Sequence, residues 1–494
     1  DNLLNRMAKS NETMGEVTTT VMAYNKDPEE FEKTCRRVLG TIAGENCQSR
    51  SLPNLQKDMF LNLSPMHPPH DKINQIFGKI MPLSTFIGGF PFSTVGFNDG
   101  TGFVLAKDTA GSLIICDLWK RQDDRTNSNL VITGKPGSGK STAMKHIITK
   151  EYEKGTTIII IDPEREYKDM CLELGGSWID CGSATSGIIN PLEIKKGADN
   201  SDEDVSSGND LSKHLQTFRT FLRYYCGVVS EYVLTEIEEI LTNVYASKGI
   251  TYQTDITKLE SKDYPIMEDL YKAIINRINI LKMNKASSRK IDELDEISSI
   301  IKRMVYGADA QLFNGISSIN SDNDFIVLDI NSLVDITGNI CRAQFFNILS
   351  WAWNEMSRNR KERVILVVDE AHLLIDPQNP EGIDFLKRVV KRSRKYDGSI
   401  IVSSQNLIDF CAKEVERYGQ VIIDNSTYMM LLGQGQKEID AVQKMINLTE
   451  PEVQYLLTAK KGQGLFMVNK DVRLAINIHL RQEEARLFGD GGGR

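Results

Sequence analysis

Two short stretches carry side chains able to work on phosphate. The first, GKPGSGKS at 134–141, sets glycines, a lysine and a serine at G-x-x-x-x-G-K-[ST] spacing. Gly134, Gly137 and Gly139 allow a tight curl that turns backbone N–H groups toward phosphate oxygens, and a helix starting there adds more. Lys135, Pro136, Ser138 and Thr142 complete the loop. Lys140 reaches the β/γ-phosphates, and the Ser141 hydroxyl is a ligand for Mg²⁺. The cofactor pair this predicts is ATP with Mg²⁺. The second stretch, VILVVDEAH at 364–372, is an aliphatic run closed by two acids. Asp369, at a strand end, is placed to hold the Mg²⁺ shell, and Glu370 to polarise an attacking water. Gln405, closing SIIVSSQ, is a third candidate, a strand-tip amide able to sense the γ-phosphate or orient water.

Such residues need a rigid support, and the pattern supplies one. NLVITG leads into the glycine-rich loop and KSTAMKHIITKEY leaves it as a helix. TTIIIID (156–162), FIVLDI (325–330), VILVVD (364–369), SIIVSS (399–404), VIID (421–424) and YMMLL (428–432) read as further strands. Continuous apolar runs between helices indicate a mostly parallel sheet covered on both faces. Between about 203 and 315, HLQTFRTFLRYY, EYVLTEIEEILTNVYA, IMEDLYKAIINRINIL and IDELDEISSIIKRM have helical spacing, an all-α insertion into an α/β core. Upstream, residues 15–24 read as a strand. DPEEFEKTCRRVLGTI reads as a helix capped by Asp27, with Phe31, Cys35, Val38, Leu39 and Ile42 on one face. SPMHPPH at 64–70 reads as a linker, and 102–118 as a hairpin turning near Thr109–Gly111. The domains expected are 1–100 (the end of an N-terminal α+β domain), 101–202 and 319–494 (two halves of the core), and 203–318 (the insertion).

The 494 residues exceed one ordinary domain, and a net charge of −8 does not pull the chain as a whole onto a polyanion. Eight scattered cysteines without a CxxC pair read as reduced thiols rather than a zinc site. No apolar run is long enough to cross a bilayer. A start at Asp1 without methionine suggests a fragment or processed form, and the tail GDGGGR a flexible or appended end.

The letters DEAH invite comparison with nucleic-acid helicases, and three features oppose it. From Lys140 to Asp369 the chain runs 229 positions, too far for one compact motor domain, and only 122 residues follow His372, too few for a second. The next strand ends in SSQN. Instead, GKPGSGKS, IDPEREY (161–167), INPL (189–192), VVDEAHLL, SRKYDG and SSQN, in this order, resemble the FtsK/HerA superfamily of hexameric translocases, and most closely the VirB-four-like traffic ATPases of type IV secretion and conjugation. PLSTFIGGFPF (82–92) and the 102–118 hairpin extend the resemblance over nearly the whole chain. It implies a RecA-like P-loop core, a homo-oligomer (hexamer or dimer) and other secretion components as partners at the membrane. It further implies a cytoplasmic place at the inner membrane face, and a DNA contact. Arg394 matches an arginine finger lent to a neighbour's ATP, Arg392 is the second choice, and Glu166 matches an acid whose role does not follow from the sequence.

Bland readings stand beside these. KRVVKRSRK at 387–395 suits a solvated helix face with Leu386, Val389 and Val390 buried. His372 reads as structural or as a support behind the site rather than a catalyst, and Tyr224, Tyr225 and Tyr232 of the insertion as core or interface residues rather than a base-stacking platform. Three functions compete: an ATPase energising a conjugative channel, a DNA-pumping translocase, and a nucleotide-binding scaffold without turnover.

Overall fold

The computed structural model describes residues 13–44, 47–51, 54–63, 71–88, 96–122, 125–182, 187–194, 210–319, 323–334, 338–358, 362–374, 381–405, 416–469 and 471–489. The 64–70 linker, Cys411, Asn406 and residues 490–494 of the tail lie outside them. The chain divides into two compact units, Asp1–Ser93 and Thr94–Arg494.

In the first unit, strand β1 (Met14–Val17) pairs antiparallel with β2 (Lys79–Pro82). The strand expected over 15–24 is thus shorter than its β-branched composition suggests. The helix Pro28–Gly44 forms as expected, with Asp27 Oδ1 accepting from the N–H groups of Glu29 (2.8 Å) and Glu30 (3.2 Å).

The second unit is built on one twelve-stranded sheet. Its strands are β3 (Phe97–Asn98), β4 (Phe103–Asp108), β5 (Leu113–Cys116), β6 (Leu130–Thr133), β7 (Thr157–Asp162), β8 (Ser177–Asp180), β9 (Phe325–Asp329), β10 (Val364–Val368), β11 (Gly398–Ser404), β12 (Tyr428–Leu432), β13 (Gln463–Val468) and β14 (Val472–Asn477). Their order is β3-β5-β4-β14-β13-β12-β6-β11-β10-β7-β9-β8. From β12 to β8 every pairing is parallel; from β12 through β13, β14 and β4 to β5 every pairing is antiparallel. The 102–118 hairpin is β4–β5, and its turn is closed by Asp108 Oδ1, which accepts from Ala110 and Ser112 N–H.

The parallel strands are apolar throughout because both faces are covered. Leu130, Ile132, Ile158, Ile160, Ile365, Val367 and Ile401 face a core shared with helix Lys140–Tyr152. Val131, Ile159, Ile161, Leu366, Val368, Ile400 and Val402 face the opposite core. That second core includes helix Gly338–Arg358 and the helices Asp210–Cys226, Glu231–Ser247, Met267–Met283 and Ser288–Tyr306, which lie in sequence between β8 and β9.

One element is corrected. VIID (421–424), read as a strand, closes the helix Glu416–Asp424. Three aliphatics in a row fit either period, and here Ile422 and Ile423 are buried while Asp424 is exposed, one side of a helix inward and the other out.

Candidate active site

The order of the sheet builds the site. β11 lies between β6, which leads into the glycine-rich loop, and β10, which leads into the acid pair. Ser404 is level with Thr133, and Val368 with both Val402 and Ile161. Four carboxyl ends therefore open on one crevice, where an open α/β sheet binds ligands. Gln405 follows β11 directly and so sits between loop and acids.

The loop is held from behind by turns of the antiparallel half. Lys135 N–H donates to Gly433 O (2.8 Å), and Gly462 N–H to Ser138 O (2.8 Å). Gly137 and Gly139 have φ of +77° and +97°, and a Cβ on Gly139 would stand 3.0 Å from Gly462 N. Glycine is required there both by backbone conformation and by space. Gly137, Gly139 and Lys140 donate none of the loop's internal backbone bonds, and Ser138 Oγ and Thr133 Oγ1 are buried without a protein partner. Such a cradle, with N–H groups left over at a helix start, fits phosphate oxygens. Lys135 and Pro136 are exposed, and Ser141 and Thr142 are half-buried in the first turn of helix Lys140–Tyr152.

Lys140 Nζ is paired with Glu370 Oε1, and both side chains are almost wholly buried. Gln405 Nε2 also donates to Glu370 Oε1 (3.0 Å), and His372 Nδ1 lies 2.9 Å from Oε2. Burial alone would raise the Glu370 pKa. His372, Lys140 and Gln405 together outweigh it and hold the carboxyl down at about 2. Glu370 has φ of +46°, an uncommon backbone state for a side-chain-bearing residue, fixed by its N–H on Asp369 Oδ1 (3.0 Å) and its C=O accepting from Leu373 N–H (2.9 Å).

Asp369 is 2 % exposed. Ser403 Oγ donates to its Oδ1 (2.7 Å) and Tyr167 OH to its Oδ2 (3.3 Å). Burial first, then the charges of Glu370 and Glu166, push its pKa up to about 6 against the pull of Lys140 and Ser403. Beside it Asp162, pushed up to about 7 by burial and the Asp369 charge, accepts the N–H groups of Glu164, Glu166 and Tyr167 and so shapes the DPEREY loop. Buried acids with raised pKa are stabilised by a cation. Among the described residues no three His, Cys, Asp or Glu side chains are placed to hold a metal by themselves. Mg²⁺ is a cation that takes one or two protein oxygens and fills its shell with phosphate and water.

The structure thus brings Lys140, Asp369, Glu370 and Gln405 together and does not bring Arg394 to them. Arg394 lies before β11 and Gln405 after it, so the strand's seven residues, about 23 Å, separate it from the crevice of its own chain. In the basic helix Glu381–Arg392, Leu386, Val389 and Val390 are buried as expected, Lys387 and Arg388 pair with Asp384, and Arg392 is exposed. Sequence reasoning missed Tyr167, Ser403, Asp162 and Glu164. Glu164 lies close enough to Glu370 that their repulsion, after burial, raises its pKa. Tyr167 and Ser403 stood inside quoted motifs, yet only the strand order shows that both meet Asp369. Glu166 has one carboxylate oxygen, Oε2, buried without a partner, and its charge is felt by Lys145 and Asp369.

The TraG P-loop domain family matches residues 102–486. The structure of VirB4 of Thermoanaerobacter pseudethanolicus is similar at 43% identity and a TM-score of 0.73, covering 79% of this chain and all of that one. The chain belongs to the VirB4-like P-loop ATPase family. An uncharacterized protein of Bacillus anthracis is 24% identical to this VirB4-like chain over 99% of its length and 82% of the relative's. Protein TraC of Escherichia coli K12 is 23% identical over 68% of the chain, which spans 35% of TraC. The conjugative coupling protein TrwB shares the fold at 12% identity and a TM-score of 0.51, over 77% of this chain and 90% of that one. Among the described residues no helix of this VirB4-like protein is long and apolar enough to cross a membrane.

Proposed function

We propose that the protein hydrolyses ATP at interfaces between its own copies to energise assembly of, or transfer through, a conjugative type IV secretion channel. The observation carrying this reading is the meeting of Lys140, Asp369, Glu370 and Gln405 at one crevice behind a phosphate cradle, in a chain of this family. Loop residues 134–142 hold the triphosphate, and Lys140 leaves Glu370 for the β/γ-phosphates. Ser141 and Asp369 would hold Mg²⁺, which would supply charge neutralisation on the phosphate oxygens when bound. Glu370, freed of Lys140, takes a proton from the attacking water, and Gln405 orients that water.

Arg394, too far from its own crevice, serves the neighbour's, so turnover requires an oligomer. A hexamer suits the head-to-tail contact in which each copy lends its finger to the next. The helices between residues 203 and 318 form an insertion, and 101–202 and 319–494 the two halves of the core. The protein works in the cytoplasm against the inner membrane face, docked on other secretion components. The DNA-pumping and scaffold readings have less support: net charge is negative, and Lys140, Asp369, Glu370 and Gln405 meet at one crevice.

The test is phosphate release against protein concentration. Specific activity should rise with concentration as copies assemble, and Lys140→Ala and Arg394→Ala should each abolish it. An activity independent of concentration and of Arg394 would reject hydrolysis at shared interfaces; activity surviving Lys140→Ala would reject the site.

A further inference from the structure

The mount of Arg394 points to a residue with no place in any motif. Asn129, just ahead of β6, is 1 % exposed. Its Nδ2 donates to Val390 O (3.0 Å) and Asn425 O (3.1 Å). Its Oδ1 accepts from Ile400 N–H (3.1 Å) and from Ser393 Oγ (2.9 Å), whose single proton is shared with Val390 O (3.0 Å). Both amide protons and both sides of the amide oxygen thus face a partner. Val390 and Ser393 precede Arg394 and Ile400 follows it, so one side chain pins both limbs of the turn. Ser399 Oγ adds a bond to Ser128 O (2.7 Å). Within the turn Ser393–Tyr396, Tyr396 is buried edge-on against Trp353, with ring centres 5.5 Å apart, and Asp397 reverses the chain at φ of +47°. Arg394 is exposed, and no carboxylate among the described residues pairs with it.

We infer that Asn129 is the positioning residue of the arginine finger: it holds the turn so that the Arg394 guanidinium meets the neighbouring copy's γ-phosphate in one fixed geometry. The inference rests on the finger reading above. A displacement of 1 Å at a group that meets the transferring phosphoryl costs about a hundredfold in rate, and a turn held by one screened amide does not drift by that much. Asn129 lies at the opposite end of β6 from the glycine-rich loop, so its loss should leave nucleotide binding by the same copy intact.

Two variants grade the effect. Asn129→Asp keeps shape and acceptors but sets an anionic oxygen against two carbonyls, while Ser393→Ala removes one of the four bonds and spares the fold. In assembled protein, Ser393→Ala should lower kcat severalfold. Asn129→Asp should approach the loss seen in Arg394→Ala, about a thousandfold or more for an arginine finger. The Kd for ATP should stay within about twofold of wild type in all three. In equal mixtures of Asn129→Asp and Lys140→Ala chains, about a quarter of interfaces pair an intact loop with an intact finger, so activity should recover toward about a quarter of wild type.

Wild-type kcat in Arg394→Ala would overturn the finger reading and this inference with it. Wild-type kcat in both Ser393→Ala and Asn129→Asp, with Arg394→Ala impaired, would overturn this inference alone. A mixture no more active than its two components would do the same, because it would place the defect inside the variant's own site.

Discussion

Glu370→Gln should bind ATP more tightly and hydrolyse it far more slowly. Without nucleotide, Lys140 is bound to the carboxylate that must later handle water, so triphosphate has to break that pair to recruit the lysine. The Glu370 carboxyl is held at about 2 rather than 4.5, worth about 3 kcal/mol in favour of its ionised form. His372, Lys140 and Gln405 share that stabilisation. The Lys140 pair is one charge-assisted hydrogen bond among these, worth about 1.5–3 kcal/mol, or about 10- to 150-fold in Kd. The glutamine variant keeps the shape of the site and removes the charge, so ATP no longer opposes that attraction and the Kd should fall by this factor. Loss of the base should lower single-turnover hydrolysis by about 10²- to 10⁴-fold. Titration of nucleotide-free protein with ATP gives the first quantity, and quenched single turnover the second. An unchanged or weaker Kd in Glu370→Gln would refute the competition for Lys140, whatever happened to the rate.

Three further outcomes follow from the geometry. Ser403→Ala should reduce turnover more than Tyr167→Phe, since the serine bond to Asp369 is 2.7 Å and the tyrosine bond 3.3 Å; each bond is worth about 1 kcal/mol, and steady-state rates that rank in reverse would contradict the assigned support. Gly139→Ala should melt at lower temperature than Gly137→Ala. Both add a side chain at positive φ, about 1–2 kcal/mol, but only at 139 does it press on Gly462, whose bond to Ser138 is worth about 1 kcal/mol more; equal melting points would show that the Gly462 turn yields freely. Glu484 is held below the usual carboxylate range: burial would raise it, but the Arg481 N–H, Lys150 and His146 outweigh that. A lowered folded pKa gives stability that is present above the ordinary 4.5 and lost as pH falls through the folded value. The protection factors of amides in the helix Gln482–Phe488 should therefore fall on acidification below about pH 4.5 and, in Glu484→Gln, be low already at pH 7; pH-independent protection in the native chain would refute the pairing.

Much of the fold could be read from the chain because burial on both faces leaves strands such as TIIIID and VILVV unbroken by polar residues, and helices between them punctuate the pattern. VIID misled because three aliphatics carry no period. SWID, QGLFMV and VRLAIN, which form β8, β13 and β14, were not singled out, although β13 and β14 complete the antiparallel half that backs the glycine-rich loop. For the site, Lys140, Asp369, Glu370 and Gln405 stood out by spacing, since their positions follow from strand ends. Tyr167, Ser403 and Glu164 did not, because which strand neighbours which is settled by long-range pairing, and a one-place change in the order of β6, β11, β10 and β7 would send each elsewhere. Asn129 was silent for the same reason: its partners lie 261 to 296 positions downstream.

β6 has only four residues. At one end it becomes the curl of Gly134; at the other it is flanked by Asn129. About 13 Å of strand therefore separates the cradle of one copy's triphosphate from the amide that aims its guanidinium. In the ring of copies proposed above, each subunit would carry its receiving pocket and its outgoing cation at the two ends of a single strand, so one rigid element would register the whole circle.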